Sequence, residues 1–103
     1  MNDAISNQQN WQSANTAVTF DFDSGVSEVF LHGNKIAEVG NNFIRLFDGG
    51  RQSKTTKSRL NAILAEHGYS GESVFQKNWT WFVRLWTGND FATVPFFSSM
   101  RLG

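Results

Sequence analysis

Between Arg51 and Arg59 the chain gathers four cations, Arg51, Lys54, Lys57 and Arg59, without one acid, around Thr55 and Thr56 at the start of a helical pattern. The first amides of a helix lack intrahelical partners and carry a partial positive charge, so this run could hold a phosphate or a partner's carboxylate. The bland alternative is a solvated charge run whose threonines only cap the helix. Two further sets stand out. Phe82, Arg84 and Trp86 alternate along one face of an aromatic strand, and aromatics with arginine anchor protein interfaces and stack on unpaired bases. Asp21, Asp23 and Glu28 lie in a stretch, residues 1–30, that has no Lys or Arg. An acidic face of that kind suits a basic groove.

Catalytic chemistry finds less support. His32 and His67 stand alone, and His67 near the end of the helix reads as a structural residue favoured, when protonated, by the helix dipole. Asp21 and Asp23 lack a third ligand that would make them a cation site. The chain has no cysteine, so neither a thiolate nucleophile nor a disulfide framework is available. No phosphate-cradling loop, nucleophile elbow or zinc-protease pattern occurs. The expectation is a protein that is not an enzyme and uses no metal or cofactor.

These groups must be positioned by a chain of 103 residues, the size of one domain. Ten Phe, four Trp and one Tyr against one Pro and nine Gly favour strands joined by glycine turns. Residues 1–16, rich in Asn, Gln and Ser, read as a flexible polar arm ahead of a single domain over residues 17–103. Val18, Phe20 and Phe22 alternate with Thr19, Asp21 and Asp23 as a half-buried strand does, which points Phe22 inward and the two aspartates to water. Strands follow near Val26 to Leu31, Lys35 to Val39 and Asn42 to Phe47, with turns at Gly33-Asn34 and Gly40-Asn41. Arg45 interrupts the apolar face of the fourth strand, and a local ion pair is its expected fate.

The helix runs from an N-cap at Thr55 to a left-handed Gly68, with Leu60, Ile63, Leu64 and His67 along one stripe. Beyond it come strands around Ser73 to Gln76, Trp79 to Trp86 and Phe91 to Phe97. The parity of the middle one assigns Trp79, Trp81, Val83 and Leu85 to the core. Pro95, without an amide hydrogen, belongs on a sheet edge. The fold class expected is α+β: about four antiparallel strands, one helix, then about three strands, with the helix packed on one face of the sheet.

The turn at Gly49 and Gly50, the helix start Thr55-Thr56-x-x-Arg59, and the terminal Pro95, Phe96 and Met100 resemble a loosely defined group of small bacteriophage proteins, mostly without assigned activity. That resemblance covers the last two-thirds of the chain and implies a phage or mobile-element origin. It also suggests a role against host defence, of the anti-CRISPR kind. The functional expectation is a small binding protein that modulates a host bacterial complex, a defence or nucleic-acid-handling one, by protein contact. Alternatives are single-stranded DNA or RNA binding and a minor virion or assembly role. Net charge is zero, whereas a dedicated nucleic-acid binder usually carries a basic excess. With no run of the ~18 apolar residues that would span a bilayer and no signal-peptide pattern, the expected location is the host cytoplasm.

Overall fold

The computed structural model describes residues 1–103 as two helices and nine strands. In chain order they are α1 (Asn2–Ser6), β1 (Trp11–Ser13), β2 (Thr16–Asp21), β3 (Val26–Leu31), β4 (Asn34–Val39), β5 (Ile44–Leu46), α2 (Lys54–His67), β6 (Ser73–Lys77), β7 (Thr80–Trp86), β8 (Phe91–Pro95) and β9 (Met100–Leu102). The class is α+β, but the strands form two antiparallel sheets rather than one. The larger follows the order β1-β2-β3-β4-β5-β9, and the smaller β6-β7-β8.

Alternation explains both sheets. In β3, Ser27, Val29 and Leu31 are buried while Val26, Glu28 and Phe30 are half-exposed on the opposite face. A bulge in β4 leaves Ile36 unpaired between Lys35, opposite Phe30, and Ala37, opposite Val29. Ile36 and Ala37 are consequently both buried, and Lys35 and Glu38 both return to the outer face. β9 closes the sheet by pairing Met100, Arg101 and Leu102 with Leu46, Arg45 and Ile44. In the smaller sheet Val74, Trp81 and Val83 point inward.

α2 joins the small sheet edge to edge. Asn61 Nδ2 donates to the Val74 carbonyl at 2.9 Å, and the Val74 amide donates to Asn61 Oδ1 at 2.7 Å. One side chain thus satisfies both backbone groups that edge strand β6 presents there, which blocks further strand addition at that point. Leu60, Ile63 and Leu64 enter the same core as Val29, Leu46 and Val83. The molecule is therefore two layers: the large sheet, and α2 beside β6-β7-β8. The outer faces of both layers carry no further element.

Several expectations change. Residues 1–16 are not a loose arm: Ala4 and Ile5 of α1 are buried, Asn2 Nδ2 donates to the Ala62 carbonyl, and β1 pairs with β2. Two apolar side chains anchored in the core outweigh the polar composition around them. The cap of α2 is Ser53, whose Oγ accepts from the Thr56 amide at 3.2 Å, not Thr55. Gly68 is extended rather than left-handed, with the Cβ site closed by Glu72 and Leu64. The hairpin turn after β3 uses His32 and Gly33, both at positive φ, one residue earlier than Gly33-Asn34. The last strand splits at Pro95, which ends edge strand β8.

Candidate functional site

The cations of the helix start do not converge. About 100° of turn per residue puts Lys57 and Lys54 on the flank of α2 that carries Asn61 and faces β6, and Arg59 on the opposite flank. Arg59 Nε donates to Thr16 Oγ1 at 3.2 Å and ties the helix to β2. Thr56 is 4% exposed, with its hydroxyl 3.0 Å from Ser53 Oγ. It is a structural cap partner, not a ligand group. Thr55, Arg51 and Ser53 do line a cleft of about 360 Å³ with His32 and Asn34, but Asp48 lies in the same wall. That carboxylate, accepting from the Gly50 amide at 2.8 Å, opposes an anion.

The acids also separate. Asp23 sits in the β2–β3 turn, where its amide donates to Asp21 Oδ1 at 2.9 Å, and both side chains are exposed. Glu28 instead lies on the outer face of the large sheet, bridged to Lys35 at 3.0 Å. Lys35 also reaches Glu38 at 2.8 Å, and those two carboxylates hold its ammonium above its ordinary pKa. Arg45 finds its expected ion pair in Glu38, at 3.5 Å. No uniform acidic face results.

Arg84 and Trp86 are brought together, with partners that spacing alone does not show. On the outer face of the small sheet Trp86 lies opposite Phe91, and Arg84 opposite Ser73 and Thr93. Trp86 meets Phe91 at 5.1 Å and Tyr69 at 6.4 Å between ring centroids. The Arg84 guanidinium stacks over Phe91 at 3.9 Å and donates to the Gly71 carbonyl. A Cβ at Gly71 would stand 2.7 Å from Phe91, and its φ of +100° is glycine's alone, so this stack requires Gly71. Further along, Phe75 and Phe82 stack at 5.8 Å. The cluster is held from behind by Glu72, 7% exposed, whose two oxygens accept from the Tyr69 amide at 2.9 Å and the Trp86 amide at 3.0 Å. A charged acceptor on two backbone donors fixes where both rings stand.

The residue that parity misplaces is Trp79. It is not core: it occupies the tip of the β6–β7 hairpin, 92% exposed, with φ +65° after Asn78 at φ +51°. Two successive positive φ values make the mirror-image turn that suits a two-residue hairpin, a conformation costly for a bulky L residue. Asn78 was the available signal, since asparagine readily takes the first such position. Phe22 is likewise outside, 86% exposed in a turn and edge-on to Phe20 at 4.9 Å. β2 ends at Asp21, so the alternation that would bury Phe22 stops one residue short.

His67 corrects the dipole argument. Its Nε2 is buried without a partner, and desolvation lowers the pKa below the ordinary value despite the nearby Glu66 carboxylate. The ring is favoured neutral. It stands between two open recesses, of about 240 and 380 Å³, that share Gly40 and Asn41. No group of three or more His, Cys, Asp or Glu side chains is arranged to hold a metal. No helix is long and apolar enough to cross a membrane.

Over its whole length, residues 1–103, the chain matches the family model described as Kyanoviridae Gp96 protein. The chain belongs to that family. This places it among bacteriophage proteins, the origin that the resemblance implies. No curated protein and no solved structure matches it.

Proposed function

We propose that this family member is a phage-encoded binding protein, without enzymatic activity, that modulates a host bacterial macromolecular complex by protein–protein contact in the host cytoplasm. The observation that carries the proposal is Trp79: an indole almost wholly in water, at the tip of a hairpin, in a backbone conformation that disfavours it. A turn that keeps tryptophan where glycine or asparagine would sit more easily gains nothing from it in the folded monomer. Tryptophan and arginine are the residue types that dominate binding energy when a partner covers them. Toward the other end of the same hairpin, the open face with Arg84, Trp86 and Tyr69 extends the contact. Defence or nucleic-acid-handling machinery is the partner class that a phage origin favours.

A second reading has its own support. Phe75 and Phe82 stack on an open sheet face next to Lys77, and aromatic sheet faces bordered by cations bind single-stranded DNA or RNA. Capture from host lysate on the immobilised protein separates the two. Protein contact predicts a host protein retained after nuclease digestion and released by Trp79→Gly or Arg84→Ala. Direct nucleic-acid binding predicts that digestion removes everything, and that an oligonucleotide binds with a steep salt dependence.

A further inference from the structure

Across the outer face of the large sheet one register row reads Thr19, Glu28, Glu38, Arg45, Arg101, each directly opposite the next on its neighbouring strand. The row is acidic toward β3 and β4 and basic toward β5 and β9. Within the chain its charges are only partly matched. Lys35 bridges Glu28 and Glu38, and Arg45 touches Glu38 at 3.5 Å with its Nε lacking any hydrogen bond. Arg101 is exposed, lies over the Phe43 ring at 4.8 Å, and meets no carboxylate of its own chain.

We propose that this face docks against the same face of a second copy, about a two-fold axis running along the strands between β4 and β5. Such an axis reverses strand order while keeping each row in register. Glu38 then meets the partner's Arg45, and Glu28 meets the partner's Arg101. The two-fold repeats both contacts, so four pairs of opposite charge form from one self-complementary patch. No other placement of that axis serves the row as well: moved to the centre of the sheet it sets Glu28 against the partner's Glu38.

The occupant is a second copy because the row complements itself. A uniformly charged partner would gain from one half of it and lose on the other. Only β3, β4, β5 and β9 overlap about that axis, so strands ~4.8 Å apart and three to six residues long give a footprint of roughly 14 by 10 to 20 Å, below the size of standard stable interfaces. The dimer is accordingly weak and salt-sensitive. It leaves the hairpin tip and the small sheet of both copies facing outward.

The test is sedimentation of the full chain from roughly 10 μM to roughly 1 mM, the range such an interface implies, at low and high salt. The expected result is a mass that rises toward twice the monomer with concentration and falls back with salt. Arg101→Glu alone and Glu28→Lys alone each weaken association at least about tenfold, because each sets like charges face to face. An equimolar mixture of the two restores it, since every 28–101 contact is again acid against base. Circular dichroism confirms that both variants are folded. A monomer at all concentrations, undiminished association of Arg101→Glu, or no rescue by mixing two folded variants overturns the proposal. So does loss of a host protein from this face in a chain that stays monomeric.

Discussion

At the scale of single residues, Trp79 and His67 decide most. Trp79 holds a positive φ that costs an L residue about 1 to 2 kcal/mol, whereas glycine adopts it freely but gives up about 0.5 to 1 kcal/mol of unfolded-state advantage. With the ring 92% exposed, little burial is lost on its removal. Trp79→Gly is therefore expected to leave stability unchanged or to raise it by up to about 1 kcal/mol in urea denaturation. A clear destabilisation would mean that the indole packs after all. His67 gives a pH dependence of defined sign. Its folded pKa lies below the ordinary 6.5, so the folded state binds fewer protons than the unfolded one in the window between the two values. The stability it contributes is complete above pH 6.5 and is lost as pH falls through that window toward the folded pKa. Melting temperature is expected to drop between pH 7 and pH 5 more steeply in the wild type than in His67→Gln. Parallel curves would remove His67 as the cause. Trp79 was misplaced because side-chain parity continues through a turn on paper but not in space, although Asn78 marked the turn.

At the scale of elements, the small sheet depends on two polar side chains that hydrophobic pattern does not reveal. Asn61 satisfies both backbone groups of Val74, and Glu72 accepts from Tyr69 and Trp86. Removing Asn61 leaves the Val74 amide and carbonyl without partners, and removing Glu72 leaves the Tyr69 and Trp86 amides so, at about 1 to 3 kcal/mol for each group. Glu72→Ala is thus expected to lower stability by at least about 1 kcal/mol and to free Tyr69 and Trp86, seen as red-shifted tryptophan fluorescence and faster exchange of the Trp86 amide. Unchanged exchange would show that another group holds the cluster. α2 and the strands β3 and β7 were readable from the sequence because their 3.6- and 2-residue periods run uninterrupted over six or more residues. The bulge in β4 was not, since one unpaired residue reverses parity without a compositional mark. Nor was the division into two sheets. That depends on the chain leaving the small sheet at Pro95, the end of β8, and returning as β9, three residues long, to close the large one.

For the whole molecule, the two layers give two open faces of different character. The large sheet presents a charge row complementary to itself, and the small sheet with its hairpin presents aromatic rings and one stacked arginine. Zero net charge fits this division, because acids and bases balance across one face rather than segregating into the acidic and basic regions that linear sequence suggests. Those regions thin out on folding: Glu28 is bridged to Lys35 and Arg59 turns to Thr16, so of the four cations at the helix start only Arg51 and Lys54 remain fully exposed, and of the three acids only Asp21 and Asp23. A dimer through the large sheet would carry two copies of the hairpin tip, and a partner with repeated sites would be held more tightly than by one.

The central claim is that a protein is bound through that tip. Its most direct test places a photo-crosslinking amino acid at position 79, and as a control at Ser24 in the exposed β2–β3 turn of the large sheet, during expression in host cells. The account predicts one discrete adduct from position 79 that survives nuclease and contains a host protein, with no counterpart from position 24. Adducts that disappear with nuclease, or equal yields from both positions, would contradict it.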